Sequence, residues 1–220
     1  MIIVANSNPV HKWLEEKSKM ELDAIIISSK EELVFKNLET LSPEFIFFPH
    51  WSSIIPSDIY DHFNCVVFHM TDLPYGRGGS PLQNLIVRGK TKTMISALKV
   101  EKGIDTGDIY LKKELSLAGT AEEIFMRAGK VIYEMMKEIL ETRPALKKQQ
   151  GEPLLFKRRT PAESNLKEVN TLENAYDFIR MLDAEGYPHA FIENEYFRFE
   201  FTRASLKSES IIADVRIIKK

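Results

Sequence analysis

Cysteine is nearly absent: the 220 residues hold one, Cys65. A single thiol cannot close an internal disulfide, which fits a reducing compartment. Inside the apolar run NCVVFH it reads as a small core residue rather than a nucleophile. Charge of one sign is lacking too, since 30 Lys and Arg against 32 Asp and Glu leave a formal net charge of −2. A balance that even leaves no general electrostatic footprint for nucleic acid, and none is expected as a partner. No apolar run approaches the ~20 residues of a membrane span. The opening MIIVANSNPV has neither a basic leader nor a long apolar core, so it reads as a first buried strand, not a signal peptide. Repeats and low-complexity tracts are missing. These absences point to a cytoplasmic globular chain with no membrane partner; a homodimer is compatible with them.

What is present is an alternation. Short apolar runs at 2–5, 24–27, 45–48 and 64–69 read as buried strands. Helical segments at 9–19 and 30–40, and a short polar-then-apolar piece at 56–63, separate them. This order predicts an α/β fold, a Rossmann-like and mostly parallel sheet with helices on both faces. Ser80 and Pro81 suit the start of a helix to about Arg88, and Gly89 its end. Strands follow at 93–100 and 109–115. Thr120 with Glu123 forms a capping box before a long helix to Glu141 with an apolar stripe from Ile124 to Ile139. The polar stretch 143–151 is the best boundary in the chain. It divides a catalytic domain, 1–150, from a small C-terminal α+β subdomain, 151–220, made of a helix at 171–183, a hairpin at 190–204 and a last strand at 210–218.

The chemistry concentrates in two loops. One follows a strand that ends in His69 and reads LPYGRGGSP; the other is GIDTGD, with Gly103 and Gly107 on either side of Asp105. A histidine and an aspartate released from strand ends suit general acid–base work. A carboxylate on one imidazole nitrogen fixes the tautomer and favours the protonated ring. The glycines let backbone N–H and C=O groups approach a flat heterocycle. Parallel sheets bind ligands beyond the carboxyl ends of their strands, where His50 and His69 both fall. No serine or cysteine lies in a nucleophile-elbow context, which favours direct transfer. A metal held by His69, Asp105 and Asp108 has no supporting ligand spacing, so none is expected.

HMTDLPYGRGGSP followed by KTKTMISALKVEKGIDTGDI resembles the signature of the formyltransferases that use 10-formyltetrahydrofolate. FKRRTPAESNL and IRMLDAEGYPHAF extend the resemblance past residue 150, so it covers most of the chain. It implies a one-carbon transferase in which His69 takes the proton of the attacking amine and Asp105 supports His69. It assigns the cofactor's pterin end to Leu73, Pro74, Tyr75, Gly76, Arg77 and Gly78 with Glu101, Gly103, Ile104 and Asp108. The family's asparagine two residues before the histidine, which polarises the formyl oxygen, is replaced here by Val67; Asn84, Thr71, His50 or a backbone N–H would have to substitute. Among the family, the likeness is strongest to enzymes formylating a UDP-linked 4-amino-4,6-dideoxy hexosamine of pseudaminic-acid-type pathways. The expected acceptor is therefore a nucleotide sugar, with His50, Trp51, Thr71, Lys157 and Arg158 as its contacts. Methionyl-tRNA and glycinamide-ribotide formylation, formyl-folate hydrolysis and a non-catalytic folate-binding relative are the alternatives. A chain ending at Lys220 with net charge −2 disfavours tRNA.

Overall fold

A computed structural model describes residues 1–220, the side chain of Pro9 being left aside. Along the chain lie β1 (Ile2–Asn6), α1 (Lys12–Leu22), β2 (Ala24–Ile27), α2 (Phe35–Leu41), β3 (Phe45–His50), α3 (Ser57–Tyr60), β4 (Cys65–His69) and β5 (Tyr75–Gly78). They are followed by α4 (Pro81–Ile86), β6 (Lys92–Lys99), β7 (Ile109–Ser116), α5 (Ala121–Thr142), β8 (Leu154–Phe156) and α6 (Leu172–Arg180). The chain closes with β9 (Ala190–Glu193), β10 (Phe197–Leu206) and β11 (Ile211–Lys219).

The central sheet has the order β2-β1-β3-β4-β6-β7. Its first four strands are mutually parallel; β6 and β7 join antiparallel. A parallel crossover needs a dozen or more residues, and the segment from Lys99 to Ile109 is too short for one, so β6 and β7 form a hairpin. The strands alternate in what they bury. Val4, Phe45, Phe47, Val66 and Phe68 face α1, α4 and α5 in the main core. Ile3, Ala5, Ile46, Phe48 and Cys65 face α2 and α3. Each fully buried Leu, Ile or Phe there is worth roughly 1.5–3 kcal/mol. Burial pushes the Cys65 thiol up to about 12, as befits an inert core residue. Thr120 and Glu123 cap α5 reciprocally, which satisfies two otherwise free N–H groups at its start.

The C-terminal three-stranded sheet, order β11-β10-β9, stands apart from the central one. Its packing does not: Ile179, Met181, Leu182, Ala184 and Ala190 join the main core around α5. Arg180 ties the two, its guanidinium donating to the carbonyls of Leu117 and Gly119 at 2.7 and 2.9 Å. The segment that reads as a glycine loop contains β5, which pairs in parallel with β8 from beyond residue 150. No helix is long and apolar enough to cross a membrane among the described residues.

Between the carboxyl ends of β1 and β3 lies a histidine pair, His11 buried and His50 half-buried. His11 is 2% exposed, and its Nε2 is 3.4 Å from Nδ1 of His50. Its Nδ1 has no partner among the described residues. Burial and the neighbouring His50 push His11 down to about 3, and burial pushes His50 down to about 4.

Candidate active site

β4 ends by delivering His69, which is 7% exposed. Phe68 and Met70 on either side of it point into the main core, so the imidazole turns to the opposite face of the sheet. There Nδ1 lies 3.4 Å from Oδ2 of Asp105, and Nε2 lies 2.8 Å from the carbonyl oxygen of Gly76. A carbonyl only accepts, so Nε2 carries a proton in this arrangement. Nδ1 is then the nitrogen free to exchange one, on the edge that faces the carboxylate. Sequence reasoning has the carboxylate fix the tautomer. Here a backbone carbonyl does so, and the carboxylate is placed to stabilise charge arriving at Nδ1.

Asp105 sits in the left-handed region at φ +52°, which Asp tolerates better than most residues. Its Oδ2 accepts from the Gly78 N–H at 2.9 Å, so one carboxylate oxygen links the two glycine loops. Gly78 is required by position. Its φ is +106°, and a Cβ would lie 2.5 Å from the Phe156 carbonyl oxygen across the β5–β8 pair. Gly107 is tighter still, with the Lys99 carbonyl oxygen 1.8 Å from where its Cβ would be. The loop after His69 is pinned from below. Ser96 pairs with His69 across β4 and β6 and with Lys112 across β6 and β7, which puts all three side chains on one face. The Ser96 hydroxyl donates to the Thr71 carbonyl at 2.7 Å, and Lys112 Nζ donates to the Leu73 carbonyl and to Asp72, each at 2.6 Å.

Several expected contacts gather here. Thr71 is buried beside the Gly76 carbonyl, at 3.4 Å. Leu73 and Pro74 are joined by a cis peptide bond, and Leu73 packs with Leu98, Ile109 and Val67 in a small apolar cluster. Tyr75 pairs with Leu154 and meets the Phe156 ring edge to face at 5.5 Å. Arg77 turns to Gln149. Gly103 has φ +112°, Ile104 is 69% exposed, and the Asp108 carbonyl receives the Lys99 N–H. Lys157 and Arg158 are exposed and flank the loop: Asn84 Nδ2 donates to the Lys157 carbonyl, and the Arg158 side chain lies against Gly79.

Others go elsewhere. Glu101 is 4.0 Å from Lys99 and lines a separate cleft with Ser57, Tyr60 and Asp61. The His50 ring packs against His11 and Phe125, on the α5 side of the sheet away from His69. A register shift between β1 and β3 just before His50 accompanies this placement. Trp51 packs on Phe48 in the second core. Of the side chains offered to replace the missing asparagine, none presents a spare donor at His69. Asn84 gives its amide hydrogens to the Gly79, Ser80 and Lys157 carbonyls, Thr71 turns its hydroxyl to the Gly76 carbonyl, and His50 lies on the other face. Val67 shares the face of His69 and is apolar wall. Among the described residues no cluster of three His, Cys, Asp or Glu is arranged to hold a metal.

Sequence reasoning missed Ser96, Lys112 and Gln149. Ser96 left a trace, as a polar residue inside the apolar strand MISAL; the other two lie in lysine- and glutamine-rich stretches that read as solvated surface.

An imidazole and a carboxylate thus meet across two glycine loops at one end of this sheet, and the chain belongs to the formyl transferase family, whose model matches residues 4–139. A second model, the methionyl-tRNA formyltransferase C-terminal domain, matches residues 161–218. The solved methionyl-tRNA formyltransferase from Clostridium thermocellum is 54% identical, with TM-score 0.97 over 100% of this chain and 99% of that one. A methionyl-tRNA formyltransferase from Wolinella succinogenes is 28% identical over 197 residues, 87% of this chain, which spans 63% of that relative's length. A 4-N formyltransferase from Francisella tularensis shares the fold at 16% identity, with TM-score 0.65 over 88% of this chain and 92% of that one. These relatives overturn two expectations: the nucleotide-sugar acceptor, and the absence of a nucleic-acid partner. The first had rested on a likeness confined to the loop after His69 together with charge and length, the second on charge and length averaged over the whole chain.

Proposed function

We propose that this protein transfers the formyl group of 10-formyltetrahydrofolate to the amine of methionyl-tRNA. The observation that carries this is the 54% identity, over the full length, to a methionyl-tRNA formyltransferase, together with a His69–Asp105 pair ready for proton transfer. Residues 1–150 carry the reaction, and residues 151–220 form a small unit docked on them through β8 and α6. Both substrates point to the cytoplasm.

The residues present suit a folate. Half-buried Val67, backed by buried Leu73, Leu98 and Ile109, is apolar wall on the His69 face, and exposed Ile104 stands at the tip of the facing loop; a flat heteroaromatic ring is served by apolar surface on either side. Leu73, Pro74, Gly76, Gly78 and Gly103 would hold it. When bound, 10-formyltetrahydrofolate supplies the formyl carbon and, at N10, the leaving nitrogen. His69 takes the proton from the attacking amine at Nδ1 while Nε2 stays on the Gly76 carbonyl. Asp105 stabilises the resulting imidazolium, and His69 can return that proton to the leaving nitrogen, so the ring ends as it began.

The RNA face is local. Arg88 lies over the Phe156 ring at 4.6 Å and Lys90 over the Tyr75 ring at 5.8 Å, with Lys157 and Arg158 beside them. None of the four is in an ion pair among the described residues. Cations gathered around the catalytic loop suit the phosphates of an acceptor end, and the half-buried Tyr75 ring suits an unstacked base, Phe156 being buried beneath Arg88. A chain of net charge −2 can carry such a patch.

Incubation with 10-formyltetrahydrofolate and charged initiator tRNA should yield formylmethionyl-tRNA. Raising salt from 50 to 200 mM should raise KM for the tRNA and not for the folate. The double variant Lys157→Glu, Arg158→Glu should raise KM for tRNA roughly tenfold and flatten its salt dependence. Formate released at the same rate with and without tRNA would establish a hydrolase instead. Asp105→Asn keeps tolerance of the left-handed backbone and an acceptor for the Gly78 N–H, but removes the charge. A charge-assisted contact is worth about 2 kcal/mol, so kcat should fall roughly thirtyfold; single-turnover rates check this.

A further inference from the structure

We propose that Gln149 is a positioning residue of the active site, a clamp from the chain between α5 and β8 that locks Asp105 in its working orientation. Its neighbours Lys147, Lys148 and Gln150 are exposed, while Gln149 turns inward and is half-buried. The turn is enforced upstream. Lys147 and Ile109 exchange backbone hydrogen bonds of 2.9 and 2.8 Å, which fasten the segment beside the start of β7. From there Gln149 reaches both catalytic loops. Oε1 accepts from Arg77 Nε and Nη2 at 3.1 and 2.8 Å, and Nε2 donates to the carbonyls of Asp105 and Gly107, both at 2.8 Å.

A side-chain amide offers two acceptor and two donor positions. Here all four are used, two on each loop, and nothing is left for solvent or ligand. That satisfaction has a purpose beyond filling space. Asp105 holds a left-handed backbone in a loop with Gly103 before it and Gly107 after it, and the bond inside that loop, from the Thr106 hydroxyl to the Lys102 carbonyl, does not reach Asp105. Gln149 holds the carbonyl of Asp105 itself and that of Gly107. Its other end holds Arg77, the residue between Gly76, whose carbonyl orients His69 Nε2, and Gly78, whose N–H meets the Asp105 carboxylate. One amide thus sets the spacing between the carbonyl that orients the imidazole and the carboxylate that supports it. Displacing a catalytic group by about 1 Å can cost on the order of a hundredfold in rate.

The kinetic side of the inference rests on reading this site as the formyl-transfer site. It is tested in the full-length protein with two variants. Gln149→Leu removes all four contacts. Gln149→Glu, of nearly the same shape, keeps the acceptor for Arg77 and loses both N–H donors. Both should lower kcat roughly a hundredfold, with KM for 10-formyltetrahydrofolate within about threefold of wild type. In the ligand-free protein, amide hydrogen exchange at Gly78 should accelerate at least roughly tenfold in each variant, because Asp105 no longer holds that N–H, while the melting temperature moves only slightly. Near-wild-type kcat in Gln149→Glu, or unchanged exchange at Gly78, overturns the clamp. If Gln149→Leu fails to fold, Gln149→Glu decides alone. If the wild type does not formylate methionyl-tRNA, the proposed function fails, and the exchange measurement by itself decides for or against the clamp.

Discussion

Replacing His69 by glutamine should lower kcat for formyl transfer about a thousandfold and leave the fold and folate binding in place. The magnitude follows from the role. A positioned general base contributes typically about 10²–10⁴ in rate, or roughly 3–5 kcal/mol of barrier. The fold should survive because of what the ring does structurally. Its Nε2 donates to the Gly76 carbonyl at 2.8 Å, and a glutamine amide, whose nitrogen reaches as far from the backbone as Nε2, can donate to the same oxygen. The variant therefore keeps the loop satisfied and removes only the nitrogen that faces Asp105 and exchanges a proton. Single-turnover formylation, with tetrahydrofolate binding and thermal unfolding as controls, separates the two. A loss of less than roughly tenfold would take His69 out of the proton path and leave the site with positioning alone.

Acidification from pH 7.5 to 5 should destabilise the protein by roughly 2 kcal/mol for each ring of the His11–His50 pair. Burial and His50 push His11 down to about 3; burial pushes His50 to about 4. In the unfolded chain both return to the ordinary value near 6.5. Below about 6.5 the unfolded chain therefore binds protons that the folded one refuses, and unfolding gains as pH falls. This contribution is complete above the unfolded value and is lost progressively between about 6.5 and 4. Urea unfolding of wild type at the two pH values, against the double variant His11→Gln, His50→Gln, checks the sign and the source. Equal pH sensitivity in the two proteins would assign the acid response to carboxylates.

The meeting of His69 and Asp105 was legible because both residues carry their own punctuation: His69 ends an apolar run and Asp105 sits between glycines. The strands were legible for the same reason, since buried parallel strands read as continuous apolar runs. What escaped is what long-range pairing decides. Tyr75–Gly78 holds two glycines and Leu154–Phe156 is three residues long, so neither looks like a strand until each supplies the other's hydrogen bonds. His50 lies at a strand end as expected, yet its ring goes to the α5 side, where the register beside it has shifted. The basic cluster of Arg88, Lys90, Lys157 and Arg158 escaped because net charge is an average. Four cations gathered on one face vanish in it when 32 carboxylates are spread over the rest of the chain.

The pairing of β5 with β8 carries a consequence for biosynthesis. A strand at Leu154–Phe156 closes the loop that holds Gly76 and Gly78, and the chain between them must be made first. A nascent chain stalled before β8 has already translated its imidazole and its acid, but their scaffold is still open on one side. Assembly of the loop that orients the ring therefore waits on the chain as far as Phe156.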